Sequence, residues 1–356
     1  MSQNNKHFPW VDRIGNPAQI GGIETSIIDN GPGRGTRIAW INTGTGLRYK
    51  LVIDRAMDIA DAFYNQHSLA WLSHTGITAG RSASVSGLEW LYSFGGGLLA
   101  TCGLTHMGGP EDDETGHRGL HGRISNTAAV LESICQPDPA MGKLDMSITG
   151  TVKETKLFGP NFELRRTVSG TLGQPRIRIE DTVTNRGSTT WPHMMLYHCN
   201  FGWPLADAES EFIWKGNWAS RGNPGDDEIF NENHDFMKCQ PPMDSHATGE
   251  ACVFIDPKTD DEGFCNIGLI NPKLSLAVRM KYDKKQLPWL TNWQHWGKGE
   301  YVTGIEPGTN PPIGQNKAKQ QGQLIYLEPG QSRSYKLEIE VLTDKNKIDN
   351  FKAKGL

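Results

Sequence analysis

Residues 176–205 read RIRIEDTVTNRGSTTWPHMMLYHCNFGWPL, two apolar-rich runs joined by a turn. In the first run Ile177, Ile179, Asp181 and Val183 fall on one face of an extended chain, three of the four apolar, and charged residues populate the other. Side chains alternate across a strand, so this is the pattern of a half-buried strand in a sandwich. The alternation recurs outward from here, at 274–280 (LSLAVRM) and 335–342 (YKLEIEVL). Gly and Pro clusters at 30–35 (NGPGRG), 95–97 and 308–314 (GTNPPIG) punctuate the chain, and no long amphipathic helix fits between them. The stretch 210–261 is polar and reads as long loops with one short strand around 212–214. No fixed-period repeat and no abrupt shift of composition divides the 356 residues. The expected architecture is all-β: one large antiparallel β-sandwich domain over 1–356, with strands in about 1–85 completing it.

Composition sets the outer bounds. With 37% apolar and 21% charged residues, 41 Gly and 20 Pro, the chain is suited to a loop-rich globular protein with a sizeable core. A formal net charge of −4 offers no broad positive field for phosphate backbones or anionic lipid, which argues against nucleic acid and membrane partners. The six cysteines are scattered with no CxxC pair, the usage of reduced thiols in a cytoplasm. The N-terminus lacks a basic region followed by an apolar one, so a soluble, unexported, cytoplasmic protein is expected.

Three distant segments carry residues suited to acid-base work or to gripping hydroxyls. The first, 87–126, holds His106, His117, His121 and Arg123 among many glycines, which let backbone approach a ligand while Arg offers a rigid fork of donors. In the second, His198 sits between Tyr197 and Cys199 in an apolar run, where burial lowers an imidazole's pKa unless an anion or hydroxyl partners it. The third, 287–310 (LPWLTNWQHWGKGEYVTGIEPGTN), clusters Trp289, Trp293 and Trp296, whose faces suit sugar C–H groups and whose Nε1–H suits hydroxyls. There Glu306 follows the β-like run YVTGI and precedes Pro307, which predicts a strand ending with a carboxylate at the sheet rim. Each has a plainer alternative: a loop histidine, a hydrogen-bonded core histidine, a solvated strand-end glutamate. Asp54, Arg55 and Asp58 in DRAMDI form a further polar group, read either as sugar ligands (Arg55, Asp58) or as a salt-bridged strand edge.

Together these segments resemble the aldose 1-epimerase, or galactose mutarotase-like, superfamily, in that family's order along the chain. DTVTN, WP and YHCNFGWPL resemble its alternating strand, Pro-containing turn and histidine strand; GIEPGTN resembles its late glutamate motif, and GLHGRIS its earlier His-Gly segment. The resemblance spans about 21–342 and implies a supersandwich fold, with His198 as general acid, Glu306 as general base, and His121 and Arg123 as ligands of sugar hydroxyls. The run LEWLYSFGGGLLATCGLTHMG and the tryptophan-rich segment depart from typical galactose mutarotases, and the usual sugar-binding Asp has no counterpart, which marks a divergent branch. The implied reaction interconverts sugar anomers by acid-base ring opening, needs no cofactor or metal, and leaves Trp293 or Trp296 as the floor under the sugar.

Two rival functions use the same residues. The histidines with Glu306 would serve a metal-dependent sugar isomerase or lyase, although no HxH or HExxH spacing favours it. A non-catalytic carbohydrate-binding protein would use the tryptophans and polar loops equally well. A homo-oligomer is compatible with every one of these readings.

Overall fold

The computed structural model describes residues 11–355 other than 81–85, 115 and 245–249. Two large antiparallel sheets dominate. One has eight strands, among them Arg176–Asn185, Leu276–Asp283 and Ser332–Leu342, which pair side by side as the alternating patterns predict. Ile177, Ile179, Asp181 and Val183 are all buried on its inner face.

The other sheet has seven strands, in the order Gly216–Ser220, Ala251–Pro257, Trp289–Gly297, Glu300–Gly308, Trp191–Gly202 and Ile325–Leu327, with Ala100–Leu104 also paired to Trp191–Gly202. Strands Gly22–Ile27 to His67–Ser68 form a five-stranded sheet of their own. Its Ile41, Tyr49, Leu51 and Ile59 join the same apolar cluster as Ile148, Ile179, Tyr197 and Leu337, so one continuous core is shared by all three sheets.

Asp181 explains the one polar residue on an otherwise apolar face. It accepts two hydrogen bonds from the fully buried Arg166, at 2.9 and 2.7 Å, and one from Tyr197 Oη at 2.7 Å. Arg166 donates in addition to Asp58 and to the Ala56 carbonyl. This network ties the eight-stranded sheet to the N-terminal sheet and, through Tyr197, to the seven-stranded one.

Two expectations need correction. The stretch 210–261 holds long loops and the short strand Glu211–Ile213 as expected, but it also supplies strands Gly216–Ser220 and Ala251–Pro257 and a short helix Pro224–Ile229. The strand Glu300–Gly308 does end one residue past Pro307, but Glu306 is not at a solvated rim, being only 2% exposed. All six cysteines are free, five of them buried. Among the described residues no helix is long and apolar enough to cross a membrane.

Candidate active site

Alternation along the seven-stranded sheet decides which side chains reach its open face. Val302 and Glu306 on one strand, and Thr291, Trp293 and His295 on its neighbour, line a cleft of about 540 Å³, together with His198, Cys252 and Phe254. Thr291 is the register partner of Glu306, and Trp293 of Gly304. The opposite wall comes from the loop region 71–121, including Trp71, Trp90, Phe94 and His121. A helical turn, Glu89–Tyr92, presents Trp90, whose Nε1 donates to Ser125 Oγ at 3.0 Å and whose ring stacks on Phe94 at 4.2 Å.

His198 stands at the centre of this aromatic wall. Its ring lies 5.3 Å from Phe94, 5.5 Å from Trp293 and 5.6 Å from His121. Its Nδ1 is 3.3 Å from Glu306 Oε1, yet neither atom has a hydrogen-bond partner and both are buried. Two unpaired polar atoms facing each other are costly, so the arrangement points to use rather than stability. Burial lowers the imidazole of His198 to about 4 and pushes the Glu306 carboxyl well above its ordinary range, with Glu250 adding to the rise and Arg221 opposing it. Both shifts favour the uncharged forms, a protonated carboxyl beside a neutral imidazole.

His121 is held against backbone. The Gly108 amide approaches its Nδ1 at 3.4 Å, a long bond that favours the tautomer with the hydrogen on Nε2. Burial holds the ring neutral, and His198 beside it acts in the same direction. The residue adopts φ 57°, a left-handed conformation uncommon outside glycine and characteristic of constrained functional positions.

Arg221 closes the far side of the cleft with its donors engaged by Asp226, at 3.0 and 3.5 Å, and by Glu250. Glu300 lies at the mouth, 3.6 Å from His74. Among the described residues no group of three or more His, Cys, Asp or Glu is arranged to hold a metal ion. A larger hollow, of about 700 Å³ beside the C-terminal helix, contains Arg279 and Glu340, which bond each other.

Of the residues the sequence suggests, the structure gathers His198, Glu306, His121 and Trp293 into the cleft. Trp296 lies elsewhere: three positions from Trp293 on a strand, it faces the opposite side, is fully buried and donates to Gln294. Arg55 is also outside the cleft, its guanidinium donating to Ser125, Thr78 and Ser93. Asp58 accepts from Thr101 and Arg166 inside the core. These two belong to an internal network rather than a solvated strand edge, and both line a separate hollow of about 410 Å³ beside Trp90 and Phe94, not the cleft that holds His198. Arg123 caps the turn Ile124–Asn126 and lies near enough to Glu154 to favour its charged form, away from the cleft lining. His106 and His117 bond within their own loop region, to Gly109 and Asp112.

Sequence reading overlooked Trp71, Arg221 and Glu250. The signal for Trp90 and Phe94 was present in the run LEWLYSF, an aromatic cluster beside glycines. Arg221 and Glu250 gave no local signal, since the strands that carry them together are far apart in sequence.

Comparison with other proteins now places the chain. Residues 33–341 match the sequence profile of a family described as "Domain of unknown function (DUF4432)". The chain belongs to that family. No curated protein matches this DUF4432 member. Its structure is similar to that of a Klebsiella pneumoniae protein provisionally named an aldose 1-epimerase, with a TM-score of 0.85 at 22% identity over 95% of this chain and 89% of that one. It also resembles a galactose mutarotase-like protein from Clostridium acetobutylicum, TM-score 0.59 at 13% identity over 90% and 98%. A third similar structure is Slr1438 of Synechocystis, TM-score 0.62 at 16% identity over 86% and 95%. At these identities the likeness establishes the fold, a galactose mutarotase-like β-sandwich.

Proposed function

We propose that this DUF4432 protein is an aldose 1-epimerase that interconverts the anomers of a sugar held in the aromatic cleft. The observation that carries the reading is the buried, unpaired contact between His198 Nδ1 and Glu306 Oε1 at 3.3 Å on the cleft floor.

The chemistry needs a proton removed from the C1 hydroxyl and one delivered to the ring oxygen, two atoms bonded to the same carbon. A close acid-base pair suits that demand. Before a sugar binds, burial keeps the proton on Glu306. A sugar hydroxyl donating to this carboxyl stabilises its charged form and passes the proton across the Oε1–Nδ1 contact to His198. The imidazolium then gives its Nε2 proton to the ring oxygen while the Glu306 carboxylate takes the C1 hydroxyl proton. The C1–O bond of the ring breaks, the aldehyde forms, and rotation about C1–C2 followed by the reverse transfers closes the other anomer. His198 is thus the acid and Glu306 the base of ring opening, and each reverses on closure. His121 Nε2–H serves as a donor to a sugar oxygen, and the Trp71, Trp90 and Trp293 rings serve as apolar platforms. Neither a metal nor an organic cofactor enters this scheme.

The test is one-dimensional NMR of freshly dissolved single anomers of glucose, galactose, fucose, lyxose and uronic acids, with and without chelator. Faster equilibration of one sugar, unchanged by chelator, is the expected result and names the substrate. Chelator-sensitive turnover would instead favour a metal-dependent sugar isomerase or lyase. Sugar binding with no turnover would favour a carbohydrate-binding protein, which the aromatic wall also suits.

A further inference from the structure

Gly304 sits on the cleft face of strand Glu300–Gly308, two residues before Glu306 and in register with Trp293 on the neighbouring strand. Its backbone is not among those with a left-handed φ, so conformational freedom is not what glycine supplies here. Space is. A Cβ built on Gly304 would collide with Glu306 Oε1 and stand 3.0 Å from its Cδ and 3.2 Å from Cε3 of Trp293. The carboxyl therefore folds back over the bare backbone, and the same Oε1 faces His198. A side chain on residue 304 would drive the carboxyl off this seat and away from the imidazole.

We infer that Gly304 is a positioning residue, whose missing side chain is the seat that holds the Glu306 carboxyl against His198 beneath Trp293. Its catalytic consequence rests on the epimerase reading, but the geometry stands without it. A glycine in a strand interior ordinarily weakens the strand, so its presence at this point is explained by the close approach of another group.

A double-mutant cycle on the full-length protein separates the two ideas. The melting temperature is measured for wild type, Gly304→Ala, Glu306→Ala and the double variant. Gly304→Ala is expected to lower it in the wild-type background and to lower it clearly less once Glu306→Ala has emptied the seat, where only the 3.2 Å approach to Trp293 Cε3 remains. Equal drops in both backgrounds would overturn the inference. On the sugar identified by the anomer panel, Gly304→Ala is expected to lose about 10²-fold in kcat with KM nearly kept, as for a misplacement of about 1 Å. A wild-type kcat would also overturn it. If the wild-type protein equilibrates no sugar, the epimerase reading fails while the thermal cycle still decides the role of Gly304.

Discussion

His198 and Glu306 are separated by 108 positions in the chain, yet their nitrogen and oxygen lie 3.3 Å apart in a setting that disfavours charge on either. His198→Asn and Glu306→Gln, each isosteric enough to preserve the cleft, are expected to lower kcat by about 10²–10⁴-fold. The double variant should be little worse than either single one, because the two act as a unit. Anomer NMR on folded variants checks this, and wild-type rates in both would end the assignment. The pH dependence has a defined sign. Protonating His198 with Glu306 still protonated stops proton uptake, so the acid limb should fall well below the ordinary imidazole value of 6.5, toward the lowered value of about 4. The alkaline limb marks loss of the pair's remaining proton, above the ordinary carboxylate range. An acid limb at 6.5 would show that His198 is not held neutral by burial. That His198 and Glu306 belong together was legible from their motifs, and the structure brings them to one cleft. Trp296 was misread because three tryptophans were counted as one cluster, whereas period-2 alternation puts residues 293 and 296 on opposite faces once the segment is a strand.

Strands were legible where one face is apolar and the other polar, as in Arg176–Asn185. Ala251–Pro257 was not, because its run ACVFI is apolar on both faces and lies inside a polar stretch, and a short apolar run has no period to read. That omission matters, since this strand brings Cys252 and Phe254 to the cleft and follows directly from Glu250. The Arg166 network was equally hidden. Asp181 reads as a lone polar residue on an apolar face until the neighbouring strand supplies Arg166 as its cross-strand partner. Removing one side of a buried ion pair leaves the other charge without compensation, so Arg166→Met is expected to destabilise the fold by about 3–5 kcal/mol. Equilibrium urea unfolding measures this. A loss of under about 1 kcal/mol, the range of an exposed pair, would mean the network is not a buried clamp.

At the scale of the whole molecule the sandwich depends on polar ties across its core, and His193 is one that responds to pH. Fully buried, it donates through Nδ1 to the Leu104 carbonyl at 2.9 Å, and its Nε2 accepts from Tyr335 Oη at 2.7 Å. It thereby joins the seven-stranded sheet to strand Ser332–Leu342 of the eight-stranded one. The bond from Tyr335 requires a neutral ring, since only an unprotonated Nε2 can accept; burial, which outweighs the opposing pull of the Leu104 carbonyl, lowers the pKa from 6.5 to about 4. The unfolded chain therefore takes up a proton at this histidine before the folded chain does. Its contribution is fully present above pH 6.5, declines as the pH falls, and is lost on passing through about 4. The size of the shift corresponds to about 3 kcal/mol once both states are protonated. A His193→Gln variant removes this titration, so the stability gap between wild type and variant should narrow steadily from pH 7 to pH 4. Urea unfolding at several pH values measures that gap, and one that stays constant with pH would show that His193 titrates alike in the folded and unfolded chains.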